Sequence, residues 1–180
     1  MLTRLLVCAY MAAARLAELA LSRRHLALGE PATEAESARS RAIYPAIIAV
    51  HTLAIAGTLL SGHRRSKPWL LALFAVQPLR LWVLLTLGRR WNARGAVSPE
   101  TEVETGGPYA FVRHPNYAIV IAELALLPLV HTAWLTCLTL SALNAFVLWR
   151  RIPAEERMLF DVPGYREAMA AKKRFVPGLF

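Results

Sequence analysis

Five apolar runs, separated by polar and turn-forming segments, dominate the pattern of the chain. They are Leu5 to Leu21, Tyr44 to Leu60, Trp69 to Leu87, Ala118 to Val130 and Thr132 to Trp149. Four of them approach the ~20 residues that a helix needs to cross a bilayer, whereas the run at 118–130 is shorter. The pattern therefore predicts an all-α, multi-pass integral membrane protein with about five membrane helices, the last two forming a helical hairpin around residues 127–132.

Composition supports the same class of protein. Apolar residues make up 56% of the 180 residues and charged residues 18%, and the mean hydropathy is +0.39. A soluble domain carries more charge and lacks several apolar runs of this length. The length fits a single domain, 1–180, with a membrane core over residues 5–149. Cys8 and Cys137 lie inside apolar runs, so we expect buried side chains and no metal site.

The net charge of +9 is concentrated on one side of the predicted bundle. If the runs cross alternately, segments 22–42, 88–117 and 150–180 share a side and hold fifteen of the 21 Lys and Arg residues. The positive-inside tendency then places these segments, including the basic C-terminal tail, in the cytoplasm. Loop 61–68 carries three cations on the opposite side, against this tendency. Because the cations flank membrane helices and no nucleic-acid-binding motif is present, we expect contact with membrane lipid and not with nucleic acid.

The polar segment from Gly106 to Tyr117 has the features of a ligand-binding turn followed by a helix start. Its two adjacent glycines allow the backbone to approach a ligand closely, and Pro115 fits the first turn of a helix. Free N–H groups at a helix start attract a carboxylate or a phosphate. Glu155 and Glu156, beyond the last apolar run, are acceptors for ribose hydroxyls or an ammonium group. S-adenosylmethionine carries all of these groups, and the alternative is an interfacial loop anchored by Arg, Tyr and Trp.

Several polar residues lie inside the apolar runs. Arg15 and Glu18 are three residues apart, so they share a helix face and form either a structural ion pair or part of a site. His51 is either an internal hydrogen-bonding residue or a site residue. Arg80, close to a proline in the third run, predicts a polar pocket at membrane depth. Pro45 is expected in the first turn of the second helix.

A resemblance to a known superfamily gives these residues a common function. The segments at 107–109, 113–117, 151–156, 165 and 174–177 resemble the isoprenylcysteine carboxyl methyltransferase and phospholipid methyltransferase superfamily over about residues 70–180. The shared motifs read Gly-Pro-Tyr, Arg-His-Pro-x-Tyr, Arg-Ile-x-x-Glu-Glu, Tyr and Arg-Phe-x-Pro. Arg15, Glu18, His51, Asn116 and Glu123 are similar to a bacterial branch found with type III polyketide synthases, thought to O-methylate alkylpyrones or alkylresorcinols. Ala118-Ile119 stands where the superfamily commonly has a small residue that is often followed by glycine, a mild departure that leaves the acceptor open.

The resemblance implies a membrane methyltransferase that uses S-adenosylmethionine through the elements 101–117 and 150–180. The residues that it implies for the cofactor are Glu102, Val103, Glu104, Tyr109, His114, Pro115, Asn116, Tyr117 and Glu155. Arg151 matches the arginine that meets the methyl acceptor, which would be a lipophilic small molecule or a lipid-anchored group.

The acceptor determines whether the reaction needs a base. A prenylcysteine-like carboxylate needs none, whereas a polyketide-type hydroxyl must lose a proton or have its anion stabilised, for which Arg151 is the candidate. Glu156, Glu123 and His114 are candidate proton acceptors, and Glu123 has the alternative of being a buried partner for Arg80 or Arg113. Two other functions stay open: an NADPH-dependent membrane reductase of related architecture and a non-catalytic membrane scaffold.

Overall fold

The computed structural model describes residues 1–28, 34–61, 64–95 and 102–178, without the side chains of residues 34–41. Its α-helices are α1 (Leu2–Leu28), α2 (Glu34–Leu60), α3 (Lys67–Leu87), α4 (Pro115–Leu129), α5 (Trp134–Asp161) and α6 (Tyr165–Met169). Two 3₁₀ turns, Gly88–Arg90 and Gly107–Ala110, lie between α3 and α4. No strand occurs in these ranges, which confirms the all-α class.

Three helices are long and apolar enough to span a membrane: Leu2–Leu28, Ala42–Leu60 and Lys67–Arg90. Their outward faces carry large apolar side chains such as Leu71 and Leu85, which are 69% and 70% exposed. Such exposure is stable only where lipid covers it, so the chain is a membrane protein. Helix α4 is a shorter apolar helix of 15 residues. Helix α5 is apolar up to Trp149 and charged beyond it.

The polar connection predicted at 22–42 is largely helical, and this corrects one expectation. Helix α1 continues to Leu28 and α2 begins at Glu34, so Pro45 lies inside α2 and not in its first turn. The Ala, Glu and Arg residues that precede this proline are good helix formers, and membrane helices tolerate an internal proline. Positions 62–63 of the predicted 61–68 loop, and Thr101 of the predicted cofactor element, lie outside the described residues.

Helix α4 occupies the centre of the bundle, because it packs against α2, α3 and α5. A four-residue turn, 130–133, joins it to α5. At this end of the bundle, the Ser66 N–H at the start of α3 donates to the Val130 carbonyl at 2.8 Å. The Arg4 guanidinium near the start of α1 donates to the Ser61 carbonyl after α2. The opposite end therefore gathers the ends of α1 and α3, the start of α4 and the charged half of α5.

The C-terminal tail docks on the segment that precedes α4. The N–H groups of Arg113 and His114 donate to the carbonyls of Lys173 and Arg174, both at 2.9 Å. The Lys172 ammonium donates to the Tyr109 carbonyl at 2.8 Å. These bonds fix the start of α4 from outside the membrane core, and they connect residues about 60 positions apart in the chain.

Gly107 fastens the same segment to α3. Its φ of +52° falls in the left-handed region, and a Cβ there would lie 2.5 Å from Thr86 Oγ1 and 3.2 Å from Trp82 Nε1. Only glycine fits this conformation and this contact. This glycine therefore makes a close approach to α3, while the expected approach to a ligand stays a prediction.

Candidate active site

An interfacial cavity opens at the end of the bundle where the tail docks, with a volume of about 160 Å³. Eight of the nine residues predicted for the cofactor line it: Glu102, Val103, Glu104, Tyr109, His114, Asn116, Tyr117 and Glu155. The ninth, Pro115, begins α4 and faces a separate groove beside Phe111. One cavity thus brings together residues from both predicted elements.

The segment after α3, which was expected only to flank the membrane, also contributes to the wall of the interfacial cavity. Its residues there are Arg90, Trp91, Asn92 and Gly95. From the C-terminal part of the chain, an apolar part of the wall is formed by Leu159, Val162 and Met169. An aromatic residue among cations is typical of any membrane interface, so the pattern alone did not separate these site residues from ordinary anchors.

Arg90 holds the extended segment that borders the cavity. Its Nη1 donates to the Glu102 carbonyl at 3.2 Å, and its Nη2 pairs with the Glu104 carboxylate. The other oxygen of that carboxylate accepts the Gly106 N–H at 2.8 Å. The segment therefore has a fixed backbone path along the cavity.

Arg151, Tyr117 and Glu155 form a connected group in the wall. The Tyr117 hydroxyl donates to Glu155 Oε2 and accepts from Arg151 Nε. Arg151 Nε lies 3.6 Å from Glu155 Oε2, and Nη2 donates to the Ala93 carbonyl at 2.9 Å. Burial opposes the charge of Arg151, but the Tyr117 oxygen and the Glu155 carboxylate outweigh it and raise its pKa. The guanidinium is therefore a permanent cation held in one position.

Gly95 lies against this group. Its φ is +66°, and a Cβ there would lie 2.8 Å from Glu155 Oε2 and 2.9 Å from Arg151 Nη2. A larger residue would have to displace both charged groups, so Gly95 is required for their arrangement.

Glu156 does not line the interfacial cavity, because its carboxylate faces the C-terminal tail and the segment before α4. It pairs with Arg113 at 3.3 Å, His114 Nε2 at 3.2 Å and Arg174 Nε at 3.0 Å. Burial alone would raise its pKa, but the hydrogen bonds from His114 and Arg174 and the charge of Arg113 lower it to about 2. So low a pKa favours a role in joining the tail to the start of α4, while its role as proton acceptor stays a prediction.

A second cavity, of about 460 Å³, lies at membrane depth between α1, α2, α4 and α5. Most of this membrane cavity is apolar, with Leu16, Ile47, Ile55 and Leu59 among its walls. The residues that it shares with the interfacial cavity are Trp91, Asn116, Tyr117 and Arg151. The two cavities therefore meet at the start of α4 and at Arg151, near the beginning of the charged half of α5.

Charged residues of α1 and α3 border the membrane cavity. Arg15 pairs with Glu18 at 3.0 Å, which confirms the predicted pair, and Arg80 Nη2 lies 2.6 Å from Glu18 Oε2. Arg80 Nη1 also donates to Asn116 Oδ1 at 2.9 Å. This chain of contacts links the interior ion pairs to the wall that the two cavities share.

Glu123 lies behind this network and lines neither cavity. It accepts from Arg15 Nη2 at 3.3 Å and Gln77 Nε2 at 3.2 Å, so its partner is Arg15 and neither Arg80 nor Arg113. Its side chain is 2% exposed, which suits a buried counter-ion. Its predicted role as proton acceptor stays a prediction.

Comparison with known proteins agrees with this geometry. Residues 69–161, from α3 to the end of α5, match the model of the Isoprenylcysteine carboxyl methyltransferase (ICMT) family. The chain belongs to this family. It is also 41% identical over 123 residues to the uncharacterized protein YpbQ of Bacillus subtilis (strain 168), an alignment that covers 64% of this chain and 73% of that protein. The predicted superfamily and the methyltransferase class are confirmed, whereas the polyketide-associated branch stays a prediction.

Methyltransferases of the ICMT family generally use S-adenosylmethionine, and the interfacial cavity fits such a ligand. Trp91 Nε1 and Arg113 Nε belong to residues of its wall and, among the described residues, have no hydrogen-bond partner although they are buried. Buried donors of this kind need a partner, which a ligand oxygen would provide. Glu155 supplies an acceptor, and Leu159 and Met169 supply an apolar surface for a flat ring.

Proposed function

We propose that this ICMT-family protein transfers a methyl group from S-adenosylmethionine in the interfacial cavity to a lipophilic acceptor in the membrane cavity. The observation that carries the proposal is the wall that the two cavities share at Asn116, Tyr117 and Arg151. A polar ligand and an apolar one can each occupy a suitable site and still meet there. Orientation of two reactants in this way supplies much of the rate of a bimolecular reaction.

S-adenosylmethionine supplies an electrophilic methyl group on a sulfonium. The chain supplies the surroundings: Glu155 and the backbone of 102–104 accept from ammonium or hydroxyl groups, and Arg113 and Trp91 donate to a carboxylate. The membrane cavity excludes water from the side of the acceptor, because its walls are mainly apolar. The concentration of cations at this end favours its placement in the cytoplasm, where the cofactor is available.

Arg151 is the residue proposed to act on the acceptor oxygen. Its guanidinium belongs to both cavities and is held by Tyr117, Glu155 and the Ala93 carbonyl before any ligand binds. A fixed cation of this kind stabilises negative charge on an acceptor oxygen without reorganisation during the reaction. The reaction supported is therefore O-methylation, of a hydroxyl or of a carboxylate.

Equilibrium binding to the detergent-purified protein tests the proposal. S-adenosylhomocysteine should bind saturably and NADPH should not. His114→Ala and Glu155→Ala should each weaken binding by about tenfold or more, as expected when a buried hydrogen bond to a charged group is lost. Glu167→Ala, at an exposed position of α6, is the matched control and should bind normally.

The other outcomes identify the competing functions. Saturable binding of NADPH without S-adenosylhomocysteine would support the reductase and overturn the proposal. Binding of neither nucleotide to a folded protein would support the scaffold. Normal binding in both site variants would show that the interfacial cavity is not the cofactor site.

A further inference from the structure

The charges around the membrane cavity are balanced. Among the described residues, its walls carry the guanidinium groups of Arg15, Arg80 and Arg151. Each already has a carboxylate partner: Arg15 pairs with Glu18 and Glu123, and Arg80 with Glu18. Arg151 pairs with Glu155. Three cations thus face three carboxylates.

This balance of charges favours a hydroxyl over a carboxylate as the methyl acceptor. A carboxylate acceptor would bring a full negative charge into an apolar cavity in which each cation, Arg151 included, already has a carboxylate partner. Arg151 would then have to be shared between Glu155 and the acceptor, which makes a permanently charged acceptor less favourable than a neutral one. An acceptor with a neutral hydroxyl enters without that penalty. It must, however, lose its proton inside the cavity, so the cavity has to provide a base.

His51 has the geometry of such a base. It lies in the middle of α2 and lines the membrane cavity, and its Nδ1 lies 2.8 Å from the Ile47 carbonyl. A carbonyl only accepts hydrogen bonds, so Nδ1 carries the hydrogen, and in the neutral ring Nε2 has a lone pair. Within the described part of the chain, no hydrogen bond to this Nε2 is formed. The internal hydrogen bond expected for His51 is present, but it occupies only one of its two nitrogens.

The carboxylates in or beside the wall of the membrane cavity are less suited to accept a proton. The Glu18 carboxylate is bound by Arg15 and Arg80, and the Glu155 carboxylate by Arg151 and the Tyr117 hydroxyl. Protonation of either carboxylate would leave a guanidinium without its counter-ion. His51 lines the same cavity as Arg15, Glu18 and Arg80, whose network ends on Asn116.

We propose that His51 is a catalytic base that takes the proton of a neutral, weakly acidic acceptor hydroxyl, such as that of a long-chain phenol or enol. The inference rests on the proposed function. The O–H bond breaks and its electron pair stays on oxygen, while Nε2 of His51 forms the new N–H bond. In the same step the acceptor oxygen bonds to the methyl carbon as the carbon–sulfur bond breaks, and that electron pair remains on sulfur, so no separate buried anion is formed. The sulfonium charge is replaced by the imidazolium charge of His51, which later releases its proton to solvent.

Turnover of a long-chain 4-alkylphenol and of its more acidic, ring-difluorinated analogue tests the base. His51→Phe keeps a ring of similar shape without the lone pair, and should lower kcat for the alkylphenol by about 100-fold, a typical contribution of a general base. The loss should be clearly smaller for the fluorinated analogue, because its hydroxyl gives up the proton more easily. His51→Gln, which keeps a polar side chain, should show the same difference between the two acceptors.

Thr58→Val is the matched control. Thr58 lies on α2, is buried outside the membrane cavity and makes the same kind of bond to the carbonyl four residues earlier as His51 does. Its replacement should leave both turnover numbers and their ratio unchanged. Equal losses for both acceptors in His51→Phe, or a loss of less than about threefold, would overturn the inference.

Binding of acceptor without any methyl donor gives a readout independent of turnover. The wild-type protein should bind the alkylphenol about tenfold more tightly than its methyl ether, because only the phenol donates a hydrogen bond to Nε2. His51→Phe should remove this preference while S-adenosylhomocysteine still binds normally. An unchanged preference in the variant would overturn the proposed contact.

A carboxylate probe separates this inference from the proposed function. If the wild-type protein methylates a farnesylcysteine analogue and neither phenol, the role of His51 as a base for a hydroxyl is overturned and methyl transfer stands. If it methylates none of the three acceptors and does not bind S-adenosylhomocysteine, both proposals are overturned.

Discussion

The two cavities are built by different parts of the chain. Among the described residues, those that line the interfacial cavity all lie between Leu87 and Met169, and none of them comes from α1 or α2. By contrast, 13 of the 22 described residues that line the membrane cavity come from α1 and α2, which precede the region matched by the family. The region matched by the family therefore builds the proposed cofactor site, and the first two helices complete the proposed acceptor site.

The two cavities also differ in chemistry. The interfacial cavity has backbone donors and acceptors, tyrosines and carboxylates near water, whereas the membrane cavity is apolar with paired charges at one end. Members of one family can keep the lining of the interfacial cavity constant while the lining of the membrane cavity changes with the acceptor. Variants at the shared wall, outside both cavities and deep in the membrane cavity should accordingly have separable effects on turnover, folding and acceptor choice.

The largest effect is expected at the shared wall, for Arg151→Lys. A lysine keeps the charge but loses the planar group that binds Tyr117, Glu155 and Ala93 together, so kcat should fall by about 100- to 1000-fold. The Kd of S-adenosylhomocysteine should change by less than about fivefold, because the other wall residues remain. Steady-state kinetics and equilibrium binding measure the two effects.

Arg150→Lys is the control for this variant, because Arg150 is the exposed neighbour on the same helix and lines neither cavity. Its kcat and its Kd for S-adenosylhomocysteine should equal those of the wild-type protein. A loss of cofactor affinity as large as the loss of turnover in Arg151→Lys would contradict its assignment to the acceptor.

The second largest effect, on folding stability, is expected for Glu156, which lies outside both cavities. Glu156→Gln leaves Arg113 and Arg174 without their counter-ion, and removing one partner of a buried ion pair costs roughly 3 kcal/mol of folding free energy. Thermal unfolding in detergent should show a lower Tm, with kcat at saturating substrates nearly unchanged. The opposite result, a large loss of kcat at an unchanged Tm, would instead support the predicted proton acceptor.

The pH dependence of thermal stability gives a further test of the role of Glu156. The folded-state pKa of Glu156 is about 2, below its ordinary value of 4.5, so its contribution to stability is complete above about pH 4.5 and is lost as the pH falls towards 2. The Tm difference between the wild-type protein and Glu156→Gln should therefore be constant near neutral pH and shrink below about 4.5. Glu167→Gln, at an exposed site, should show no such trend.

The sequence predicted most of the interfacial cavity because its residues occur in short motifs. Tyr117 and Glu155 belong to motifs at either end of the α4–α5 pair, and the predicted hairpin together with the family resemblance of these motifs brought them into one predicted site. The helical class followed equally from the apolar runs, whose length has a direct physical meaning in a bilayer.

The remaining features depend on contacts that no local pattern encodes. Glu123 pairs with Arg15 across 108 positions, whereas only Arg80 and Arg113 were expected as its partners, because no local pattern links it to Arg15. The need for glycine at position 95 follows only from the packing of the folded chain, which places Arg151 beside it. His51 is recognised as a wall residue only once α2 is packed against its neighbours.

The smallest effect is expected deep in the membrane cavity, for Ala12→Phe. Ala12 lines the cavity, whereas the neighbouring Ala13 is exposed on the outer face of α1 and lines neither cavity. A phenylalanine at 12 fills space that a long chain would occupy, so turnover of a long-chain acceptor should fall about tenfold, as for the loss of one to two buried methylenes. Ala13→Phe should turn over this acceptor normally, since its ring faces lipid. Both variants should bind S-adenosylhomocysteine like the wild-type protein, and a weaker affinity confined to Ala12→Phe would mean that the two cavities are not independent in their ligands.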